Sequence, residues 1–159
     1  MTFIHLFHQS FMAALAAAGF AVLFRTPLKI LAFSSFCGAL GVGVRTVLLS
    51  FDHLNLQIAT ATFLSAAVVG FMAEFLSRRL KVPPTLFSVP GVIPMVPGGI
   101  MFHAIVVWLN IVTPTPDQFS TDLLGKALSL SGTSFLCLCA LVLGIATPTL
   151  LLYRRRPEV

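Results

Sequence analysis

The amino-acid sequence predicts an all-α integral membrane protein with about five transmembrane helices. Hydrophobic residues make up 57% of the 159 residues and charged residues only 9%, whereas a soluble domain carries about 25% charged residues. The mean hydropathy of +0.98 agrees with this composition. Apolar stretches of roughly 20 residues, the length that crosses a bilayer, follow one another with short connections. Together these observations exclude a typical soluble enzyme, a disordered tail and a disulfide scaffold.

Five stretches of the chain are long and apolar enough to be spans. They run over Leu6–Phe24, Leu28–Ser50, Leu56–Leu76, Leu86–Val112 and Leu123–Leu152. Pro27 separates the first from the second, and prolines and glycines make the start of the fourth irregular. A four-span interpretation that omits the second stretch is the alternative.

The basic residues predict the orientation of these spans. The connections after the first, third and fifth stretches contain Lys or Arg, whereas those after the second and fourth contain neither. By the positive-inside rule, the N-terminus is outside and the C-terminus is cytoplasmic. Eight of the ten basic residues then lie on one side, and the exceptions are Arg45 and Lys126. Because every connection is short, residues 1–159 are predicted to form a single transmembrane domain in the lipid bilayer.

The segment Pro83–Gly99 interrupts the helical pattern at the start of the fourth stretch. Between Pro90 and Gly99 it contains three prolines and three glycines. Proline costs about 3 kcal/mol in a helix interior and glycine about 1 kcal/mol, so an unbroken helix is not expected there. Irregular backbone at membrane depth is tolerated where it is buried in protein or lines a wet cavity. We therefore predict a functional break and a helix that restarts near Gly98, with its N-terminal amides available to a carboxylate. A kinked helix shaped only for packing is the alternative.

Three ionisable residues inside the spans are candidates for function. Arg45 offers a fixed cation to a carboxylate substrate, or it snorkels to the outer interface. Glu74 is the candidate for proton coupling, or it forms a helical ion pair with Arg78, four residues later. His103 follows the break and is either a titrating group or a packed, hydrogen-bonded histidine.

No catalytic constellation is found in the sequence, which argues against an enzyme. GxSxG, HExxH and P-loop motifs are missing, and no pair of carboxylates lies in one place. The three cysteines lie in apolar runs without a CxxC pair, so neither a metal site nor any cofactor is predicted. The basic residues form short clusters instead of a long stripe interleaved with aromatics, so no nucleic-acid partner is predicted.

Several motifs together resemble one known family. They are the run VIPMVPG at Val92–Gly98, the glycine-arginine stretch Gly41–Arg45, Pro27, the basic cluster before the proline-rich segment, and the closing Leu152–Pro157. In this combination the chain resembles the threonine/serine exporter (ThrE) family, and in particular its short YjjB-type subunits, which are similar to the C-terminal half of the full-length exporters. The resemblance covers nearly the whole chain.

This resemblance implies a subunit of a secondary exporter for small carboxylate-bearing metabolites, either threonine and serine or succinate-like dicarboxylates. It implies a multi-pass protein of the bacterial inner membrane that works with a YjjP-type membrane partner, and a homo-oligomer within the complex is compatible with it. Arg45, Pro94, Pro97 and Gly98 carry over from the family pattern as substrate-binding residues. Gly99, within the broken segment, and His103, outside the matched signature, complete our predicted set.

Other functions remain open at this stage. The chain could be a structural or assembly subunit that stabilises a partner and transports nothing. A channel would differ from a carrier by uncoupled flux, and a membrane enzyme would need a catalytic set that the sequence lacks.

Overall fold

The computed structural model describes residues 3–50, 57–113 and 121–153, and within these ranges every regular element is helical. In chain order they are α1 (Phe3–Leu23), α2 (Leu28–Ser50), α3 (Ile58–Leu80), α4 (Thr85–Val92), a 3₁₀ turn (Ile93–Met95), α5 (Gly98–Val112) and α6 (Thr121–Tyr153). The start of the predicted third span at Leu56 and the loop before α6 lie outside the described residues.

Four of these helices, α1, α2, α3 and α6, are long and apolar enough to cross a membrane. The segments Thr85–Met95 and Gly98–Val112 pass the same test only as a pair, and they are bent by 52° at the break between them. The prediction of an all-α membrane protein is therefore confirmed, with four candidate spans in the described part of the chain, or five if the bent pair counts as one. The alternative that omits the second stretch is wrong, because α2 qualifies as a span. We refer to the bent pair, residues 85–112, as the broken span. The orientation in the membrane and the single-domain organisation stay predictions.

Helices α1 and α3 are each followed, within two residues, by a basic residue in the left-handed conformation. Arg25 has φ 55° and Lys81 has φ 54°. After α1, the Thr26 amide donates to the Ala21 carbonyl (3.0 Å) and the Arg25 amide to the Val22 carbonyl (2.9 Å). This is the Schellman pattern, which satisfies the last carbonyls of a helix and turns the chain.

Helix α4 lies against α2 and α3, and this arrangement puts the first half of the broken span at the centre of the fold. Helix α1 packs along α2, α3 along α6, and α5 on α6. The buried core is shared by α2, α3, α4, the 3₁₀ turn and α6; its largest fully buried side chains are Phe87, Met95 and Val69. Large apolar side chains are exposed on every long helix, for example Phe7, Phe71 and Phe135. These exposed faces suit contact with lipid.

Candidate functional site

The fourth span is broken over five residues. Helix α4 ends at Val92, the 3₁₀ turn covers Ile93–Met95, and Val96 is extended (φ −59°, ψ 130°) before α5 starts at Gly98. Pro97 has no amide hydrogen to continue the helix, which is one reason for the interruption. The predicted restart near Gly98 is confirmed, but the break is shorter than the Pro90–Gly99 segment that the sequence indicated.

Pro90 lies inside α4 because a neighbouring helix satisfies the carbonyl that the proline leaves free. In a regular helix the amide of residue 90 would donate to the carbonyl of Leu86, and proline cannot do so. The hydroxyl of Ser34, on α2, donates to this Leu86 carbonyl at 2.9 Å. This is the condition under which a membrane helix tolerates proline, namely that another group pairs with the freed carbonyl.

Arg45, which is also on α2, donates a hydrogen bond to another carbonyl of the broken span. Its Nη1 donates to the carbonyl of Met95 at 2.8 Å. Met95 is the last residue of the 3₁₀ turn, where the helical pattern no longer supplies an amide to every carbonyl. The predicted cation and the predicted break are therefore in direct contact, although they lie 50 residues apart in the sequence.

The charge of Arg45 has no carboxylate partner among the described residues, where the ion pairs are Arg78–Glu74 and Lys126–Asp122. The guanidinium is partly buried, and its Nε is buried without a hydrogen-bond partner. A carbonyl oxygen supplies a dipole but no negative charge. Arg45 is thus a cation within the protein that keeps donors available for an anion.

An open cleft of about 440 Å³ lies where α1, α2 and the broken span meet. Pro94 forms part of its wall, Val42 comes from α2, and His8, Gln9, Met12, Ala13 and Ala16 come from α1. The Oε1 of Gln9 accepts a hydrogen bond of 3.0 Å from the hydroxyl of Thr46, which is buried. Gln9 and Thr46 were not among the predicted site residues, because nothing in the sequence shows which faces of α1 and α2 meet.

The other predicted substrate-binding residues take different positions. Pro97 is buried, whereas Gly98 and Gly99 are exposed at the start of α5. A Cβ at either glycine would meet nothing within 4 Å, so there is open space next to the first turn of this helix. His103 is exposed on α5, where its ring contacts Phe102 edge-on, and it does not line the cleft.

Glu74 lies near the end of α3 and is buried. Its Oε1 pairs with Nε of the exposed Arg78 at 3.1 Å, one helical turn later. This is the ion pair that the spacing of the two residues indicated. A role for Glu74 in proton coupling stays a prediction.

The long apolar helices define a multi-pass membrane protein. One span is broken near its middle, and the cation bonded to the break places a polar group inside the bundle. The profile of the family described as "Threonine/Serine exporter, ThrE" matches residues 9–151, and the chain belongs to this family. The chain is also 39% identical, over 155 residues, to an uncharacterized protein of Haemophilus influenzae. That alignment covers 97% of this chain and 50% of the relative, so the chain spans about half the relative's length. No solved structure matches.

Proposed function

We propose that this chain is a membrane subunit of a secondary exporter for small carboxylate-bearing metabolites in the bacterial inner membrane, working with a YjjP-type partner. Membership of an exporter family supports the transport role. The YjjP-type partner, which would carry the other half of the exporter, is proposed from the family resemblance. The solute is threonine or serine, as the family description suggests, or a succinate-like dicarboxylate.

One observation carries the proposal, and it is the contact between Arg45 and the Met95 carbonyl. An arginine inside a membrane span costs at least about 2.5 kcal/mol unless it is paired. In this chain its only hydrogen-bond acceptor among the described residues is a neutral carbonyl, and the buried Nε has none. A carboxylate would supply the missing negative charge and accept two hydrogen bonds from the planar guanidinium.

In this mechanism the carboxylate of the solute replaces the Met95 carbonyl as the partner of Arg45. Loss of this hydrogen bond weakens the contact between the 3₁₀ turn and α2, at the point where the span is bent by 52°. Solute binding is thereby linked to movement of the broken span, because Arg45 binds the Met95 carbonyl before the solute arrives and the solute carboxylate afterwards. Transporters place their substrate sites at interrupted helices. Glu74 is the proposed proton carrier, since it is a buried carboxylate near a helix end.

The test is export of threonine and of succinate from vesicles that contain this chain and its partner. We expect Arg45→Ala to reduce export by roughly 10- to 100-fold, the equivalent of losing a charge-assisted hydrogen bond of about 1.5–3 kcal/mol. Arg45→Lys keeps the charge but loses the bidentate geometry, and we expect it to restore export only in part. Arg79→Ala is the matched control, because Arg79 is an exposed cation that stacks on Phe75 at 5.1 Å.

Full export by Arg45→Ala at an unchanged membrane level contradicts the proposal. The rival function, a non-transporting assembly subunit, is also compatible with the Arg45–Met95 bond, because that bond stabilises the break. Export at the full rate by the partner alone would favour this rival.

A further inference from the structure

We propose that Gln9 is a second solute-binding residue, which selects solutes carrying an oxygen acceptor in addition to the carboxylate held by Arg45. The acceptor is a hydroxyl or a second carboxylate. This inference rests on the proposed function and deepens it, because it assigns the specificity of the same site to a residue of α1.

The first argument is the position of Gln9. It lines the cleft together with Pro94, the residue that precedes Met95 in the break. Its hydrogen bond to Thr46 connects it to α2 at the residue next to Arg45. The side chain thus lines the cleft and is bonded to α2 one residue after Arg45, which is not itself among the residues of the cleft wall.

The second argument is the orientation of the Gln9 amide. The buried hydroxyl of Thr46 donates to Oε1, and this bond directs the amide group. The Nε2 group has no hydrogen-bond partner in residues 3–50, 57–113 or 121–153, so two N–H donors remain for a ligand.

The third argument is the charge of the cleft. The described residues of its wall include Gln9 and His8 as polar groups and no carboxylate. A wall that presents an N–H donor and lacks a negative charge suits an oxygen acceptor better than an ammonium group. A solute that loses this oxygen leaves the Gln9 donors without a partner, which is how polar sites reject close analogues.

The experiment measures equilibrium binding to the purified complex of this chain and its partner. The probes are threonine against 2-aminobutyrate, which lacks the hydroxyl, and succinate against butyrate, which lacks one carboxylate. We expect the wild-type complex to prefer the oxygen-bearing member of at least one pair. In Gln9→Met, a variant of similar volume without donors, this preference falls roughly five- to tenfold while the analogue binds as before.

Two further variants sharpen the result. Gln9→Leu also lacks the donors and carries no charge, so it also loses the preference, and it decides the question if Gln9→Met does not accumulate. Ser131→Ala is the control, because it removes another hydrogen bond between side chains of two helices, from Trp108 Nε1 at 3.0 Å, outside the cleft. It should keep the wild-type preference.

The outcomes separate the two proposals. An unchanged preference in both Gln9 variants, or an equal loss in Ser131→Ala, overturns the role of Gln9 and leaves the exporter proposal standing. A wild-type complex that neither binds nor exports any of the four probes overturns both. Which pair shows the preference distinguishes a hydroxy amino acid from a dicarboxylate.

Discussion

At the scale of single residues, helix α2 supports the broken span through two polar side chains. Ser34 donates to the Leu86 carbonyl, and Arg45 donates to the Met95 carbonyl. These residues are 11 positions apart, which is close to three helical turns, so they lie on one face of α2. Gly41 lies between them on the same face, and a Cβ there would come within 2.7 Å of Met95 Sδ. The face of α2 that meets α4 therefore combines close approach with hydrogen bonding.

Ser34→Ala tests whether this support matters for stability. The substitution leaves the Leu86 carbonyl unpaired in a partly buried position, and we expect it to lower the free energy of unfolding by about 1–3 kcal/mol. Ser35→Ala is the control, because the Ser35 hydroxyl donates only to Leu31 of its own helix, at 3.0 Å. Reversible unfolding of the purified protein in detergent measures both.

Pro90→Ala supplies the second half of a double-mutant cycle. Alanine restores the amide that can pair with the Leu86 carbonyl, so Ser34→Ala should cost about 1 kcal/mol less in this background than in the wild type. An equal cost in both backgrounds would show that Ser34 does not compensate for the proline.

At the scale of elements, α3 and α6 approach each other closely through glycines. A Cβ at Gly144 would lie 2.8 Å from the Phe63 carbonyl oxygen and 3.0 Å from the Ala67 amide nitrogen. Gly70 faces Pro148 in the same way, at 2.9 Å from its Cγ. Because backbone atoms cannot move aside as a flexible side chain does, this contact sets the distance between the two helices. Small residues at helix contacts are the usual means of close packing within membranes.

Gly144→Ala should therefore push α3 and α6 apart and lower the free energy of unfolding by about 1–3 kcal/mol, the usual cost of overpacking. Gly132→Ala, on the same helix, is the matched control, because a Cβ there would meet nothing within 4 Å. Alanine also has the higher helix propensity, by about 1 kcal/mol, so the control should be neutral or stabilising. Equal thermal midpoints for the two variants would contradict this account of the α3–α6 contact.

The sequence predicts the elements of this fold better than the contacts between them. Hydropathy and length locate the spans, and the proline-rich run near Pro94 and Pro97 locates the break, because these are local properties of the chain. The extent of the break was overestimated, since the hydroxyl that compensates for Pro90 comes from Ser34 on another helix. Likewise, the sequence identifies Arg45 as an intramembrane cation. Its contact with Met95 could not be predicted, because it depends on how α2 packs against the broken span.

At the scale of the whole molecule, the contacts put the basic connections at one end of the bundle. Helices α2 and α4 run in the same direction, because Ser34 contacts Leu86 and, further along both segments, Arg45 contacts Met95. The starts of these two helices therefore lie at one end, and there the connections carry Arg25 and the cluster at Arg78–Lys81. Helices α3 and α6 also run together, since Gly144 lies against Phe63, and Gly70 against Pro148.

This segregation of charge yields a test of the predicted orientation. The positive-inside rule places the basic end in the cytoplasm, so Arg79 should face inward, and Lys126, near the opposite end of α6, should face outward. We expect a membrane-impermeant maleimide to label Lys126→Cys in intact cells, and Arg79→Cys only after the membrane is opened. Both positions are exposed, and a background in which Cys37, Cys137 and Cys139 are alanine removes labelling at the native thiols. Labelling of Arg79→Cys in intact cells, and of Lys126→Cys only after the membrane is opened, would show that the protein has the opposite orientation. The cleft at His8 and Gln9 would then open toward the cytoplasm, and the proposed exporter would release its solute from the basic end.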